Sequence, residues 1–512
     1  MKLARWIIAI VGGLLVTLWI VAAVGSRSPV LRAKLVEALA AKLDADVELQ
    51  SFEVAGFPSL KITGDGLRVR LKGQHARAPL IDIQHFEVSA GIVGLFHPRR
   101  RFQLVTLEGL RITIPPRSDH DREAGKEAGE ALSGPVIIEH LQSKNAELVI
   151  MPKNPAKDPR IFAIHDLQLD SVGFDRAMPF HAILTNPTPT GLIDATGKFG
   201  PWHAPDPGMT PVSGHYEFKN ADLGTIKGIG GILTSTGDFT GELDEIDVRG
   251  TTKTPDFNVD VGGQPVPLET VFHATVDGTD GDTYLRPVDA DFLHTSLTAS
   301  GGVYGQKGVK GRTVKLDVQM KSGRVEDVLR LAVKSSTPVM LGKMSLDTKL
   351  LLPPGEAKVP ERLQLEGDFA IASARFTDRD VQQKLVTLSR RAQGKSQEEP
   401  LEDSVLTDMR GRFRLRNGTV RFETLTFGVP GALVTLAGHY NLRSEELNFE
   451  GTFNMQATVS SAIGGGIKGI LLKPFDPLFK KKGAGAVLPI KIKGTRDKPE
   501  FGLDWGKAFK AK

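Results

Sequence analysis

From Val47 onward the chain alternates apolar and polar residues in short segments broken by glycine. That period of two restricts it to strands with one greasy face and one wet face. Val47 and Leu49, then Leu67, Val69 and Leu71, are set against Glu48, Arg68, Arg70 and Lys72. Gly (55) and Pro (31) supply many turns, but aromatic residues make up only 6% of the chain, so a sheet of this size has few large side chains to fill a core. Ahead of the alternation lies an uncharged apolar run, Trp6 to Val24 (WIIAIVGGLLVTLWIVAAV). At the helical rise it is long enough to cross a hydrocarbon layer of ~30 Å, and one N-terminal transmembrane helix is expected.

The competing reading of this run is a secretory signal peptide, because Lys2 and Arg5 precede it and Ala23-Val24-Gly25 offers small residues for cleavage. The run exceeds the ~7–15 apolar residues usual in such peptides. Cations lie on both sides, Lys2 and Arg5 before it and Arg27, Arg32 and Lys34 after it, so the positive-inside count does not fix orientation. The short N-terminal tail is placed in the cytoplasm because a large remainder is translocated regardless of charge. Trp6 and Trp19 stand where interfacial aromatic anchors stand.

The 512 residues, 40% hydrophobic and 24% charged, are globular material for about two to four domains. The net charge of +5 is small, and Lys and Arg interleave with Asp and Glu along the strands. No concentrated basic face results, so no nucleic-acid partner is expected. The absence of cysteine excludes disulfides, thiolate metal sites and cysteine nucleophiles, and suits an oxidising envelope compartment.

The expected organisation has five parts: residues 1–27, tail and transmembrane helix; 28–114, a helix and a first sheet segment; 115–134, a polar linker; 135–360, a central β-rich region; and 361–512, a C-terminal β region. Ser28-Pro29 reads as an N-cap with proline at the first helical position, and Leu31, Leu35, Leu39 and Leu43 recur every four residues. Asp65-Gly66 reads as a hairpin turn between strands. Helical spacing returns at Val325, Val328, Leu329 and Ala332, and at Val381, Leu385, Leu388 and Ala392, as two helices inserted between strands. The clearest meander has Asn417-Gly418 as its first turn. One echo recurs, IDVRGTTKTPDF at Ile246–Phe257 and IKIKGTRDKPEF at Ile490–Phe501, either from similar turn chemistry or from a repeated strand unit.

Catalytic and cofactor signatures are missing. The twelve histidines form no H-E-x-x-H, and the densest group of possible ligands, Asp119, His120, Asp121 and Glu123, lies in the polar linker as a solvated charge run. Gly464 to Gly469 (GGGIKG) lacks the spacing and the Ser or Thr of a phosphate loop, and no G-x-S-x-G elbow occurs. The chain is expected to be no enzyme and to need no cofactor. Two apolar runs adjoin basic triplets: Ile92–Phe96 before Arg99, Arg100 and Arg101, and Ile467–Phe479 before Lys480, Lys481 and Lys482. Either set can lie at a bilayer interface, or be a strand or loop edge with solvated charges.

Three segments together are similar to the AsmA family of bacterial envelope proteins, itself related to TamB-type lipid-transport proteins. They are PSLKITGDGLRVRL, NPTPTGLIDATGKFGPW and GRFRLRNGTVRFETLTFGVPGALVTLAGHYNL. The likeness covers nearly the whole chain, is strongest from Leu363 to Phe501, and does not extend to the linker at Pro115–Gly134. It implies a single-pass anchor in the bacterial inner membrane and a large C-terminal part in the periplasm. That part would be a mainly β fold, an elongated, curled antiparallel β-sheet groove with a few short helices. It further implies a part in phospholipid transport between the two membranes and in outer-membrane biogenesis, and it carries over no catalytic residue.

The residues give that implication a mechanism. One-sided sheet must bury its apolar face, and this chain has few helices and aromatics to cover it, so lipid acyl chains are expected to complete the core. Candidate groove residues are Val69, Leu71, Phe413, Leu415, Val420, Phe422 and Phe427, with an ordinary closed core as the alternative for each. The expected partners are the phospholipid bilayer and acyl chains. In the second reading, a membrane-anchored scaffold for assembling envelope proteins, exposed sheet edges bind protein.

Overall fold

The computed structural model describes residues 29–43, 45–55, 59–71, 78–91, 100–114, 136–151, 159–173, 176–201, 207–259, 263–278, 281–306, 309, 311–332, 337–393, 406–457, 485–495 and 498–503. The expected span, the polar linker and the glycine-rich segment closed by Lys480–Lys482 lie outside them. Among the described residues no helix is long and apolar enough to cross a membrane. Among the described residues the fold is mainly β, largely antiparallel with a parallel pair, and has few short helices. The described strands number 25, and the chain divides into two compact units: residues 1–226, 232–252 and 274–281, then 227–231, 253–273 and 282–512.

The first unit opens with helix α1 (Pro29–Leu43), followed by β1 (Ala45–Glu48), β2 (Ser51–Ala55), β3 (Ser59–Leu71), β4 (Ile81–Gly91) and β5 (Arg100–Ile114). It continues with β6 (Val136–Ile150), β7 (Arg160–Val172), β8 (Met178–Pro187), β9 (Thr190–Phe199) and β10 (Pro211–Asp222). The four-residue leucine spacing of α1 has a plain purpose: Leu35 and Leu39 are buried against β1, β3, β4 and β5 in one closed cluster that includes Ile62, Leu67, Val69, Phe86 and Leu107. Arg32 ties the helix down by donating from Nη1 to the Gln50 carbonyl at 2.7 Å.

Asp65-Gly66 is not a turn. β3 runs through it, pairing with β2 up to Asp65 and with β1 from Arg68 onward. Gly66 has φ +64° while the register runs on unbroken, Asp65 opposite His85 and Leu67 opposite Ile83, so it is a kink within the strand, across which burial passes from Ile62 and Gly64 to Leu67 and Val69. Both flanking runs bury in the same cluster, so the chain continues where reversal was expected. The pairing of β5 with β6 is the parallel one, Arg100 opposite Val136 and Ile114 opposite Ile150. The segments on either side of the polar linker are thus neighbours in one ladder.

The remaining strands are β11 (Ile229–Gly230), β12 (Ile232–Glu242), β13 (Glu245–Val259), β14 (Val266–Val276), β15 (Thr283–Phe292), β16 (Thr295–Gly305) and β17 (Arg312–Arg324). Helix α2 (Val325–Ala332), β18 (Met340–Leu352), α3 (Val359–Arg362), β19 (Gln364–Phe376) and α4 (Arg379–Gln393) follow. A meander closes the fold: β20 (Thr407–Arg416), β21 (Thr419–Val429), β22 (Ala432–Asn441), β23 (Glu446–Met455), β24 (Ala486–Thr495) and β25 (Lys498–Leu503). As the spacing predicts, α2 and α4 are helices inserted between strands. Asn417 (φ 51°) and Gly418 (φ 68°) both take the left-handed conformation that a two-residue hairpin turn needs.

The sequence echo does not repeat in structure. Ile246–Phe257 lies inside the single strand β13, whereas the second copy folds back on itself, with Thr495 of β24 opposite Lys498 of β25. Gly494 has φ +101°, the left-handed region that suits a turn, whereas the first copy lies within one strand.

Candidate functional site: an apolar sheet face

The register of the second unit places its apolar residues on one side. Reading across strands, Leu350, Leu365, Leu415, Val420, Tyr440 and Leu447 stand opposite one another in turn. The next row is Thr348, Gly367, Phe413, Phe422, Gly438, Phe449 and Ile492, and the one after it Leu346, Phe369, Gly411, Leu425, Leu436, Gly451 and Ile490. Leu316, Val318 and Met320 extend these rows onto β17.

Four phenylalanines meet in this field. Ring centroids are 6.2 Å apart for Phe369 and Phe413, 6.3 Å for Phe369 and Phe422, and 5.9 Å for Phe422 and Phe449. Two glycines make room: a Cβ on Gly411 would sit 2.7 Å from the Phe369 ring, and one on Gly438 would sit 2.2 Å from the Asn448 carbonyl oxygen. Each such ring pair adds roughly 0.5–1.5 kcal/mol beyond burial.

The other side of the same strands is ionic. Arg412 Nε lies 2.9 Å from Asp368, and Arg414 lies 2.9 Å from Glu366 and 3.3 Å from Glu423. The hydrogen bond and charge of Arg414 hold the Glu366 carboxyl below the ordinary carboxylate range. These cross-strand pairs set register on a solvated face and contribute little to stability individually.

At one end of the strands the apolar face is covered by helices. Helix α2 inserts Val325 and Leu329 against Met340, Ile371 and Met409. Helix α4 lays Leu385 and Val386 on Val429 and Phe427, and Ala392 on Met455 and Ala486. Asp327, 4% exposed at the start of α2, accepts hydrogen bonds from the His294 amide at 2.9 Å and the Thr295 hydroxyl at 2.8 Å. Ser389 donates to the Pro430 carbonyl at 2.7 Å and anchors α4 to the turn after β21.

Toward the opposite strand end the cover by described residues stops. Leu350, Leu365, Phe413, Val420, Phe422, Leu447, Phe449 and Ile492 are half-buried, and none belongs to a buried cluster of the described residues. That end is bordered by the loop 353–363 between β18 and β19.

The sequence-derived groove residues are therefore dispersed. Phe413, Leu415, Val420 and Phe422 stand together on this field, with Leu415 buried. Phe427 shares the face but lies under α4. Val69 is fully buried in the closed cluster of the first unit, and Leu71 ends β3 with its side chain outside the described set. Of the interface candidates, Arg101 is exposed on β5 and Arg100 opens that strand, its side chain outside the described set. Trp6, Trp19, Arg99, Lys480, Lys481 and Lys482 lie outside the described residues. Phe369 and Phe449 were missed, although the pentads LEGDF (Leu365–Phe369) and FEGTF (Phe449–Phe453) carry the signal: alternating apolar positions with glycine between them.

Among the described residues no group of three or more His, Asp or Glu is placed to hold a metal ion. No family model, curated protein or solved structure matches the chain.

Proposed function

We propose that this is an AsmA-type, membrane-anchored periplasmic protein of the bacterial inner membrane, whose β-sheet carries phospholipid acyl chains between the two membranes in outer-membrane biogenesis. The observation that carries this reading is the apolar field around Phe413 and Phe422, whose cover of described residues stops partway along the strands. Water is a costly neighbour for such a field, at about 25 cal/mol per Å² of apolar surface. An acyl chain faces the complementary difficulty: each methylene in water costs ~0.8 kcal/mol, so a two-chain lipid of about thirty methylenes meets a barrier on the order of 20 kcal/mol if it desorbs outright. Laying the chains on the field removes both exposures while headgroups stay solvated. Such a surface lowers the barrier and imposes no direction, which some other component must supply.

An elongated groove requires the sheet to curl. That part of the reading rests on the resemblance and on the one-sided alternation of the strands. The anchor rests on the uncharged run Trp6–Val24.

The test is Phe422→Asp in the full-length chain. A charge on the field is expected to abolish co-purifying phospholipid, measured by mass spectrometry, while circular dichroism and melting temperature stay near wild type. Global unfolding would identify Phe422 as an ordinary core residue. A wild-type protein that carries no lipid would favour a protein-binding scaffold.

A further inference from the structure

The two borders of the apolar field are fastened by different physics. The helical border is held by buried side chains, Val325 from α2 and Leu385, Val386 and Ala392 from α4. The loop 353–363 is held from outside. Lys227 Nζ lies 3.1 Å from Glu356 Oε2, with both side chains more than two-thirds exposed, and Arg443, 81% exposed, pairs with Glu361. Small-residue contacts complete the attachment: Val359 against Gly228, and Pro354 against Gly311.

Internally the loop is well made. Arg362 donates from Nε to the Ala357 carbonyl at 2.8 Å and from Nη1 to the Pro353 carbonyl, and the Leu363 amide donates to the Val359 carbonyl at 2.8 Å. A unit rigid within itself but fastened by exposed ion pairs moves as a body when those pairs are screened. Its two ends continue directly into Leu352 and Leu365, so its position sets the edge of the apolar field.

We infer that the loop 353–363 is an ionic strap, latched by Lys227–Glu356 and Glu361–Arg443, and that its release opens the side of the apolar field through which an acyl chain enters. The strap follows from the fastening alone; its role in entry rests on the lipid reading above.

Hydrogen exchange tests the strap without lipid. Raising ionic strength from about 0.05 to about 0.5 M is expected to speed exchange of the loop amides by about tenfold while the amides of α4 stay unchanged. Arg443→Glu is expected to give the fast rate already at low salt, and Arg443→Glu combined with Glu361→Arg to restore the slow one. Loop exchange indifferent to salt and to Arg443→Glu would overturn the strap.

Entry is tested in a chain that has no native cysteine. Glu361→Cys with Arg443→Cys, joined by a cleavable bismaleimide in the full-length protein in nanodiscs, is expected to slow uptake of a fluorescent fatty acid by about tenfold, and cleavage to restore it. Equal uptake with the linker intact would overturn the gating role. If the uncrosslinked protein takes up no fatty acid, the lipid reading and the gating role fall together, and the exchange experiment still decides the strap.

Discussion

Gly438 stands between Phe422 and Phe449 on β22, and its missing side chain lets the two rings meet across the strand. Any Cβ there would collide with the Asn448 carbonyl, so Gly438→Val is expected to cost about 2 kcal/mol or more, read from chemical denaturation. Asp327 makes the complementary case. Its removal in Asp327→Ala leaves the buried Thr295 hydroxyl and the His294 amide without their acceptor, an expected loss of about 3 kcal/mol by the same measurement. Asp65 offers a pH test: the Ser51 hydroxyl and His85 hold its carboxyl below the ordinary value of 3.8. A depressed carboxyl stabilises the fold above its unfolded pKa, and that contribution is lost as pH falls through the folded value, hence below about pH 4. An NMR titration of Asp65 is expected to show a midpoint under 3.8, moving up toward it in Ser51→Ala; a midpoint at or above 3.8 in the wild type would be wrong for this geometry. None of these three roles was legible in the sequence, because each depends on a partner far along the chain.

The elements themselves were more legible. Period-two alternation located strands, and three- and four-residue apolar spacing located α1, α2 and α4, because both signals come from one-sided burial, which is local in sequence. Glycine signals and echoes misled for a physical reason. Asp-Gly suits a hairpin turn, but a left-handed glycine also suits a kink within a continuous strand, and only the shared burial of Ile62 and Val69 decides between them. The two copies of the I-x-[VI]-[RK]-G-T echo differ likewise through their neighbours. At this scale α4 should behave as a separable cover. Leu385→Ala with Val386→Ala is expected to cost about 4 kcal/mol in helix docking. Hydrogen exchange should then rise over residues 379–393 while β20–β23 remain protected. Loss of protection in those strands as well would show that α4 and the meander fold as one unit.

For the whole molecule, the sequence reading depended on a shortage: too few helices and aromatics to cover so much one-sided sheet. The closed cluster under α1 shows that this shortage is not uniform, since Val69 finds ample protein cover, whereas Phe413 and Phe422 lie beyond the helical border of the second unit. Burial by distant segments is a tertiary property, so alternation named the greasy residues without saying which would be covered. What acyl chains would touch is therefore narrower than the apolar pattern, a field set by register and glycine gaps between α4 and the loop 353–363. The most direct measurement places the photo-crosslinking residue p-benzoylphenylalanine at Phe413, on the apolar face, and separately at Arg421, on the ionic face of the same hairpin. Irradiation of the full-length protein in cells is expected to yield phospholipid adducts at position 413 and none at 421. Adducts at neither position, or equally at both, would contradict a lipid-bearing sheet face.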